Sequence, residues 1–348
     1  MTTATPTKHL TRARYLAGDD LFGRWQADVR SGAGPVLYQH GFPYPEVGPG
    51  LVTLIGGAPG KGKTTFTGSM STEMLRFHPD LRVLHANCEM SPEALLNRQL
   101  ARLSGIDAEA IRHRRLGPEH EERLATGLAT LEGIIDRLGF MTAPYDISNV
   151  AASVDAFGAD VVFIDYIQRF TIPTEDAEAR HRVNRVMDYL RQFANAGLAV
   201  VVVSAVGRTR DKAGRSSYTG DGLSLASFRE TSELEYGADD AFILAPISDD
   251  DPDLVRLSHL KARHGMQVTQ EFRFDRAVQS FTLVTGDSVK SSTARGGSGK
   301  TKDSVARASV TKELRWLWDT AVVADEDAAT EAETQSHQNG DADIGGER

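Results

Sequence analysis

The chain has 348 residues, is 40% hydrophobic and carries a formal net charge of −9, so it can bury one large core with small appendages. A single cysteine, Cys88, excludes an internal disulfide framework and any cysteine-based zinc site within one chain, and the ten histidines show no ligand spacing. The longest apolar candidate, LAVVVVSAV at 198–206, falls short of the roughly 18 residues of a membrane span; MTTATPTKHLTRARY at the N-terminus lacks a secretory apolar core, so a cytoplasmic protein with no membrane partner is expected.

In chain order, residues 1–44 read as an N-terminal arm, in which LTRARYLAGDDLFGRWQADVRSG (10–32) can form a short helix. From 45 to 285 short β-branched runs alternate with helical segments. The first run, 51–56, leads into GGAPGKGKTT, and KTTFTGSMSTEMLRF can follow as a helix. The spacing Gly57, four residues, Gly62-Lys63-Thr64 is that of a phosphate loop. Glycines let successive backbone N–H groups converge on phosphates without a Cβ in the way, and the following helix offers its positive end. Gly57, Ala58, Pro59, Gly60, Lys61, Gly62, Lys63, Thr64 and Thr65 are therefore expected to hold ATP, with Lys63 on the β- and γ-phosphates and Thr64 on Mg²⁺. A dinucleotide fingerprint has no use for a lysine at this point.

Further along, strands are expected at 82–87, 161–165 and 199–204. Ser91-Pro92-Glu93 reads as an N-cap, a proline at the first helical position and an acid in the first turn. Leu124, Leu128, Leu131 and Ile135 mark one amphipathic helix; Val183, Val186, Met187, Leu190 and Phe193 mark another. The run DVVFIDYIQRF ends its apolar stretch on Asp165, the carboxylate a phosphate loop needs on a second strand to hold Mg²⁺. Glu89, just beyond the 82–87 run, falls at the carboxyl rim of the sheet, where ligands bind in such folds. It is either a water-activating acid or a helix-capping one. The segment GRTRDKAGRSSYTGDG (207–222) carries Arg208, Arg210, Lys212 and Arg215, which suit a nucleic-acid backbone or a solvated loop. Arg180 is a weaker candidate of the same sort.

After 240 helical periodicity stops, and runs at 241–246, 254–262, 269–275 and 279–284 suggest strands joined by hairpins. Residues 286–308 are a Ser/Gly/Lys-rich linker; its GSGKT at 297–301 is a decoy, because Ala294 stands where the motif's first glycine belongs and no strand precedes it. LRWLW (314–318) suggests a short helix within 309–321. The tail 322–348 holds eight acids and one arginine, most of the net negative charge, and has the composition of a disordered segment. The expected class is thus α/β: a P-loop core whose mainly parallel sheet has helices on both faces and an antiparallel C-terminal extension.

The motifs HANCEMSPEALLNRQLARLSGID, RRLGPEHEERL, VVFIDYIQ, SLASFRETSELEYGADD and LKARHG…FRFD follow one another in order. Together they resemble the C-terminal motor domain of DnaB-type replicative helicases, a RecA-fold hexameric ATPase family, over roughly residues 45–285. The resemblance implies a ring-forming, ATP- and Mg²⁺-dependent translocase on single-stranded DNA. It implies that Lys63, Thr64 and Asp165 bind phosphate and metal, that Glu89 activates water, and that Gln168 sits near the γ-phosphate. Lys261 and Arg263 match basic residues projected into a neighbouring subunit's nucleotide, and Arg229 and Glu230 match a DNA-contacting loop. Ala205, Ser232 and His264 depart from the family pattern at coupling positions, so hydrolysis is a safer expectation than unwinding. Only about 45 residues precede the motor, too few for the family's helical N-terminal domain, which leaves a loader or primase partner open. A filament-forming recombination ATPase and a nucleotide-gated interaction protein without translocation are the alternatives.

Overall fold

Apolar alternation and helix punctuation become strands and helices close to the expected boundaries. The computed structural model describes residues 17–173, 179–207, 209–210, 216–217, 223–228, 234–284 and 309–310, in two units, Met1–Val36 and Leu37–Arg348. The first unit holds helix α1 (Gly18–Ser31), which stops at Gly32 in the left-handed region (φ 67°). Leu21, Phe22, Trp25 and Val29 are exposed and share one face of it.

The second unit runs β1 (Val52–Gly57), α2 (Lys63–Phe77), β2 (Val83–Asn87), α3 (Pro92–Ser104), α4 (Ala108–Arg112), α5 (Glu121–Glu132), β3 (Leu138–Phe140), α6 (Ile147–Phe157), β4 (Val161–Asp165), α7 (Ala179–Asn195) and β5 (Ala199–Ala205). It continues through the short strands β6 (Thr209–Arg210) and β7 (Ser216–Ser217), α8 (Leu234–Gly237), β8 (Asp240–Pro246), β9 (Leu254–Ala262), β10 (Gln270–Asp275) and β11 (Ser280–Leu283). Nine strands form one sheet in the order β11-β10-β9-β8-β1-β5-β4-β2-β3. From β8 to β3 neighbours run parallel; from β8 to β11 they run antiparallel. This is the expected mixed α/β architecture, including the antiparallel extension.

The central strands β1, β2, β4, β5 and β8 are buried on both faces, which is why they read as continuous apolar runs, whereas β9 and β10 alternate. Val52, Leu54, Val200 and Val202 pack under α6 and α7, while Ile55, Phe163, Val201 and Phe242 pack under α2 and α3. The expected stripe of α7 is fully buried, and Ser91 caps α3, its Oγ accepting from the Ala94 N–H at 3.3 Å.

The stripe expected on α5 is buried only in part, with Leu124 half-buried against the core beside Leu131. Leu128 and Ile135 are exposed, Leu131 is buried, and Ile135 belongs to a separate 3₁₀ turn. The cause is Gly127, which lets α5 approach α3 so closely that a Cβ there would stand 3.0 Å from Leu100 Cδ1 and from Ser104 Cβ. That approach turns the glycine edge of the helix inward. Ser309 donates to Asp155 of α6 at 2.8 Å and Val310 is buried beside it; the 286–308 linker, LRWLW and the acidic tail lie outside the described residues.

Candidate functional site

Parallel strands deliver their carboxyl ends to one rim, and three of them build the site there. β1 ends on Gly57, where a Cβ would stand 2.6 Å from the Leu244 carbonyl. The loop then turns through Gly60 (φ 71°) and Gly62 (φ 87°) into α2. Lys63, in the first turn of α2, donates its Nζ to the carbonyls of Gly57 at 2.7 Å and Ala58 at 3.0 Å, across its own loop. Burial draws its ammonium below the usual lysine range, opposed by the charges of Asp165 and Glu89. The backbone N–H groups of the first helical turn and this lysine make a concave, positively polarised cradle of the kind that accepts phosphate.

Asp165 ends β4 and is almost fully buried. Its Oδ2 accepts from Thr64 Oγ1 at 2.7 Å and from Asn87 Nδ2 at 3.0 Å. Burial pushes its carboxyl up, opposed by the Thr64 hydroxyl and by Lys63. A hydroxyl and a carboxylate oxygen held this closely are hard donors of the type magnesium takes alongside waters and phosphate oxygens, so the residues fit that ion.

Glu89 stands exposed on the same rim, directly after β2. The cap of the following helix is Ser91, not Glu89. What holds the Glu89 turn is Asn87, whose Oδ1 accepts from the backbone N–H of Glu89 at 2.9 Å and of Met90 at 2.7 Å. Asn87 thus ties the metal-side carboxylate to the turn bearing Glu89. Sequence reasoning missed it, although a polar residue closing a buried apolar strand was a usable signal. Arg98 of α3 was missed as well: its Nη1 lies 3.5 Å from Thr65 Oγ1, with Asp165 and Glu89 in electrostatic reach.

Gln168, on the 3₁₀ turn after β4, faces β5. Its Nε2 donates to Ser204 Oγ at 2.8 Å, and its Oε1 accepts from the Ala205 N–H at 3.3 Å. Immediately beyond, Val206 bridges Phe228, and the Gly207 N–H donates to the Ser227 carbonyl at 2.7 Å. Gly207 and Ser227, which flank the basic residues expected from 208 to 215, therefore pair beside Gln168. Arg210 lies on β6 and Arg180 in the first turn of α7; Arg208, Lys212, Arg215, Arg229, Glu230 and Ser232 lie outside the described residues.

Lys261 and Arg263 are elsewhere. β9 is antiparallel to β8, with Ala262 opposite Asp240, whereas Leu244 is level with Gly57. Four residues of strand separate those levels, about 13 Å at 3.3 Å per residue. Both cations are therefore at the end of the sheet remote from their own phosphate loop. Lys261 Nζ donates to the Ala238 carbonyl at 2.8 Å. Arg263 donates Nη1 to Asp239 Oδ1 at 2.7 Å and Nη2 to the Tyr236 carbonyl at 3.0 Å, and its side chain stays 40% exposed. Asp239 also binds Arg191 and the Val52 N–H at 2.8 Å. Burial would raise its carboxyl, but the Val52 N–H and the two arginines prevail and hold it below the usual range. His264 is exposed, 3.7 Å from the same carboxylate.

The protein-family model described as "DnaB-like helicase C terminal domain" matches residues 47–283. No curated protein matches the chain. Among solved structures, one titled as an ATPase domain is similar at 18% identity and TM-score 0.66, over 77% of this chain and 99% of that one. A second, a DnaB-like replicative helicase described with its interactions with primase, is similar at 18% identity and TM-score 0.64, over 77% and 67%.

Proposed function

The chain belongs to the DnaB-like helicase C-terminal domain family and has the RecA-like ATPase fold, and on that premise we propose that it hydrolyses ATP as a ring-forming, hexameric motor on single-stranded DNA in replication. The observation that carries this reading is the division of the chemistry. Lys63, Thr64, Asp165 and Glu89 gather on one rim of the sheet, while Lys261 and Arg263 stand about 10 Å or more along the strands at its other end. A phosphoryl-transfer site needs cations on the developing negative charge. Lys261 and Arg263 can serve that need only in the site of another subunit.

In the proposed mechanism Lys63 leaves its loop carbonyls for the β- and γ-phosphate oxygens, and Thr64 and Asp165 would hold the Mg²⁺. That ion would neutralise phosphate charge and fix the nucleotide. Glu89, held by the Asn87 carboxamide through its own backbone N–H, orients the attacking water and takes its proton. Arg263 of one subunit, steadied by Asp239, approaches the γ-phosphate held by the next. Gln168 joins the end of β4 to the base of the basic excursion, supporting a link between the γ-phosphate and the strand-contacting residues Arg208, Arg210, Lys212, Arg215, Arg229 and Glu230. Arg180 is a further backbone contact in this scheme. The departures at Ala205, Ser232 and His264 bear on coupling rather than on hydrolysis.

The test is ATP hydrolysis with and without single-stranded DNA, on wild type, on Arg263→Ala and on mixtures of the two. The expected result is stimulation by DNA, loss of roughly a hundredfold or more in kcat for the variant, the scale of removing a transition-state cation, and inhibition in mixtures beyond simple dilution. Hydrolysis indifferent to DNA, with Arg263→Ala silent, would overturn the motor reading in favour of a nucleotide-gated interaction protein. Particle symmetry separates a closed ring from a helical filament.

A further inference from the structure

The turn between β10 and β11, Arg276–Gln279, lies more than 200 residues from the phosphate loop in sequence and touches it on both sides of Lys63 and Thr64. Arg276 donates Nη1 to the Gly60 carbonyl at 3.1 Å, at the tip of the loop. The same guanidinium is anchored by Asp253 Oδ1 and stacks over Phe274, 5.0 Å from its ring centre. On the far side, Gln279 Oε1 accepts from Thr65 Oγ1 at 2.8 Å. Thr65 is 1% exposed, and its hydroxyl both donates to Gln279 and accepts from Arg98 Nη1 at 3.5 Å, so it is engaged within the protein. Between these two contacts the stacked rings of Phe274 and Phe281, 4.4 Å apart, close on Gly62, where a Cβ would stand 2.8 Å from Phe281.

The turn itself is built to be stiff. Gln279 holds a left-handed backbone (φ 54°) without being glycine, a conformation that persists only where its surroundings impose it. Its Nε2 closes the turn on the Arg276 carbonyl at 2.7 Å, Asp275 Oδ1 accepts from the Ala277 N–H at 3.0 Å, and the Ala277 carbonyl accepts from the Ala108 N–H of α4 at 2.7 Å. A glycine-rich loop loses much conformational entropy on taking one shape. A stiff neighbour that fixes it beforehand lowers the ordering cost of binding.

We propose that this turn is a clasp on the phosphate loop, with Arg276 and Gln279 as positioning residues that preorganise it for nucleotide. The proposal rests on the reading of that loop as the ATP site. It concerns affinity: neither residue is given a role in the chemical step.

The experiment measures binding of a fluorescent ATP analogue with Mg²⁺, steady-state KM and kcat, and nucleotide-free thermal stability. The variants are Arg276→Ala and Gln279→Gly; the second removes the side chain yet keeps the left-handed backbone unstrained. Each is expected to weaken analogue binding and raise KM roughly fivefold, the scale of one lost hydrogen bond, with kcat within about twofold of wild type; Gln279→Gly also lowers the nucleotide-free melting point, because it leaves the buried Thr65 hydroxyl without its acceptor. Unchanged affinity in both variants overturns the clasp. So does a drop in thermal stability with affinity preserved, which would make the turn a structural brace only. Lys63→Ala separates the two readings: if it binds the analogue as wild type does, the ATP-site reading fails. If it loses binding while the clasp variants keep it, the clasp alone fails.

Discussion

At the scale of single residues, Asn87 shows how one side chain can tie two elements of the rim together. One end of its carboxamide steadies Asp165 and the other fixes the turn that carries Glu89. Because Asn87 is 5% exposed, removing the carboxamide leaves buried partners unsatisfied. Asn87→Ala is expected to cost about 1–3 kcal/mol of stability. If Glu89 and Asp165 act as proposed, it also lowers kcat by roughly tenfold or more with little change in KM, since misplaced catalytic groups cost rate before binding. Steady-state kinetics beside a urea titration check both parts; an unaltered kcat would remove Asn87 from the catalytic arrangement.

At the scale of elements, the pairing of α3 and α5 decides which apolar residues are core. The period in the 124–135 segment was legible, but the contact that Gly127 allows redirected the buried face and left Leu128 and Ile135 outside. Gly127→Val places methyl groups into Leu100 and Ser104 and is expected to destabilise the protein by about 1–3 kcal/mol, the range for overpacking, despite valine's better helix propensity. The urea midpoint should fall while nucleotide affinity holds, because α5 lies off the phosphate rim. A neutral Gly127→Val would mean the two helices separate freely. The antiparallel extension is the element with the largest consequence: it takes Lys261 and Arg263 to the remote end of the sheet and brings the Arg276–Gln279 turn back to the loop.

At the scale of the whole molecule, stability is linked to pH through His85 on β2. It stacks on Phe163 at 4.9 Å and on Phe140 at 6.0 Å, with Nε2 2.8 Å from Ser71 Oγ. Burial lowers its pKa from 6.5 to about 4. A depressed value means the unfolded chain takes up the proton first. The stability associated with neutral His85 is therefore complete above about pH 6.5 and is lost as pH falls towards about 4, by up to about 3 kcal/mol. Urea midpoints measured from pH 7 to 4.5 should fall more steeply for wild type than for His85→Phe; equal slopes would assign the acid sensitivity to other groups.

What the sequence determined by itself is what local physics encodes. The Gly57-to-Thr64 spacing supports the proposed phosphate loop, because that order of glycines and lysine frees the backbone and supplies a cation. The β-branched runs and the Val183–Phe193 stripe announce strands and helix because side-chain period follows backbone geometry. The three-residue β3 is too short to carry a readable period, whereas α6 does carry one, in Ile147, Val150, Ala151 and Val154, that went unmarked. Tertiary structure alone decided the contacts between distant segments. Asn87 meets Asp165 across 78 positions and Thr65 meets Gln279 across 214, and Arg263 lies away from its own phosphate loop because an antiparallel strand reverses direction. No local pattern specifies such meetings, since they depend on strand order and on how closely neighbouring elements approach.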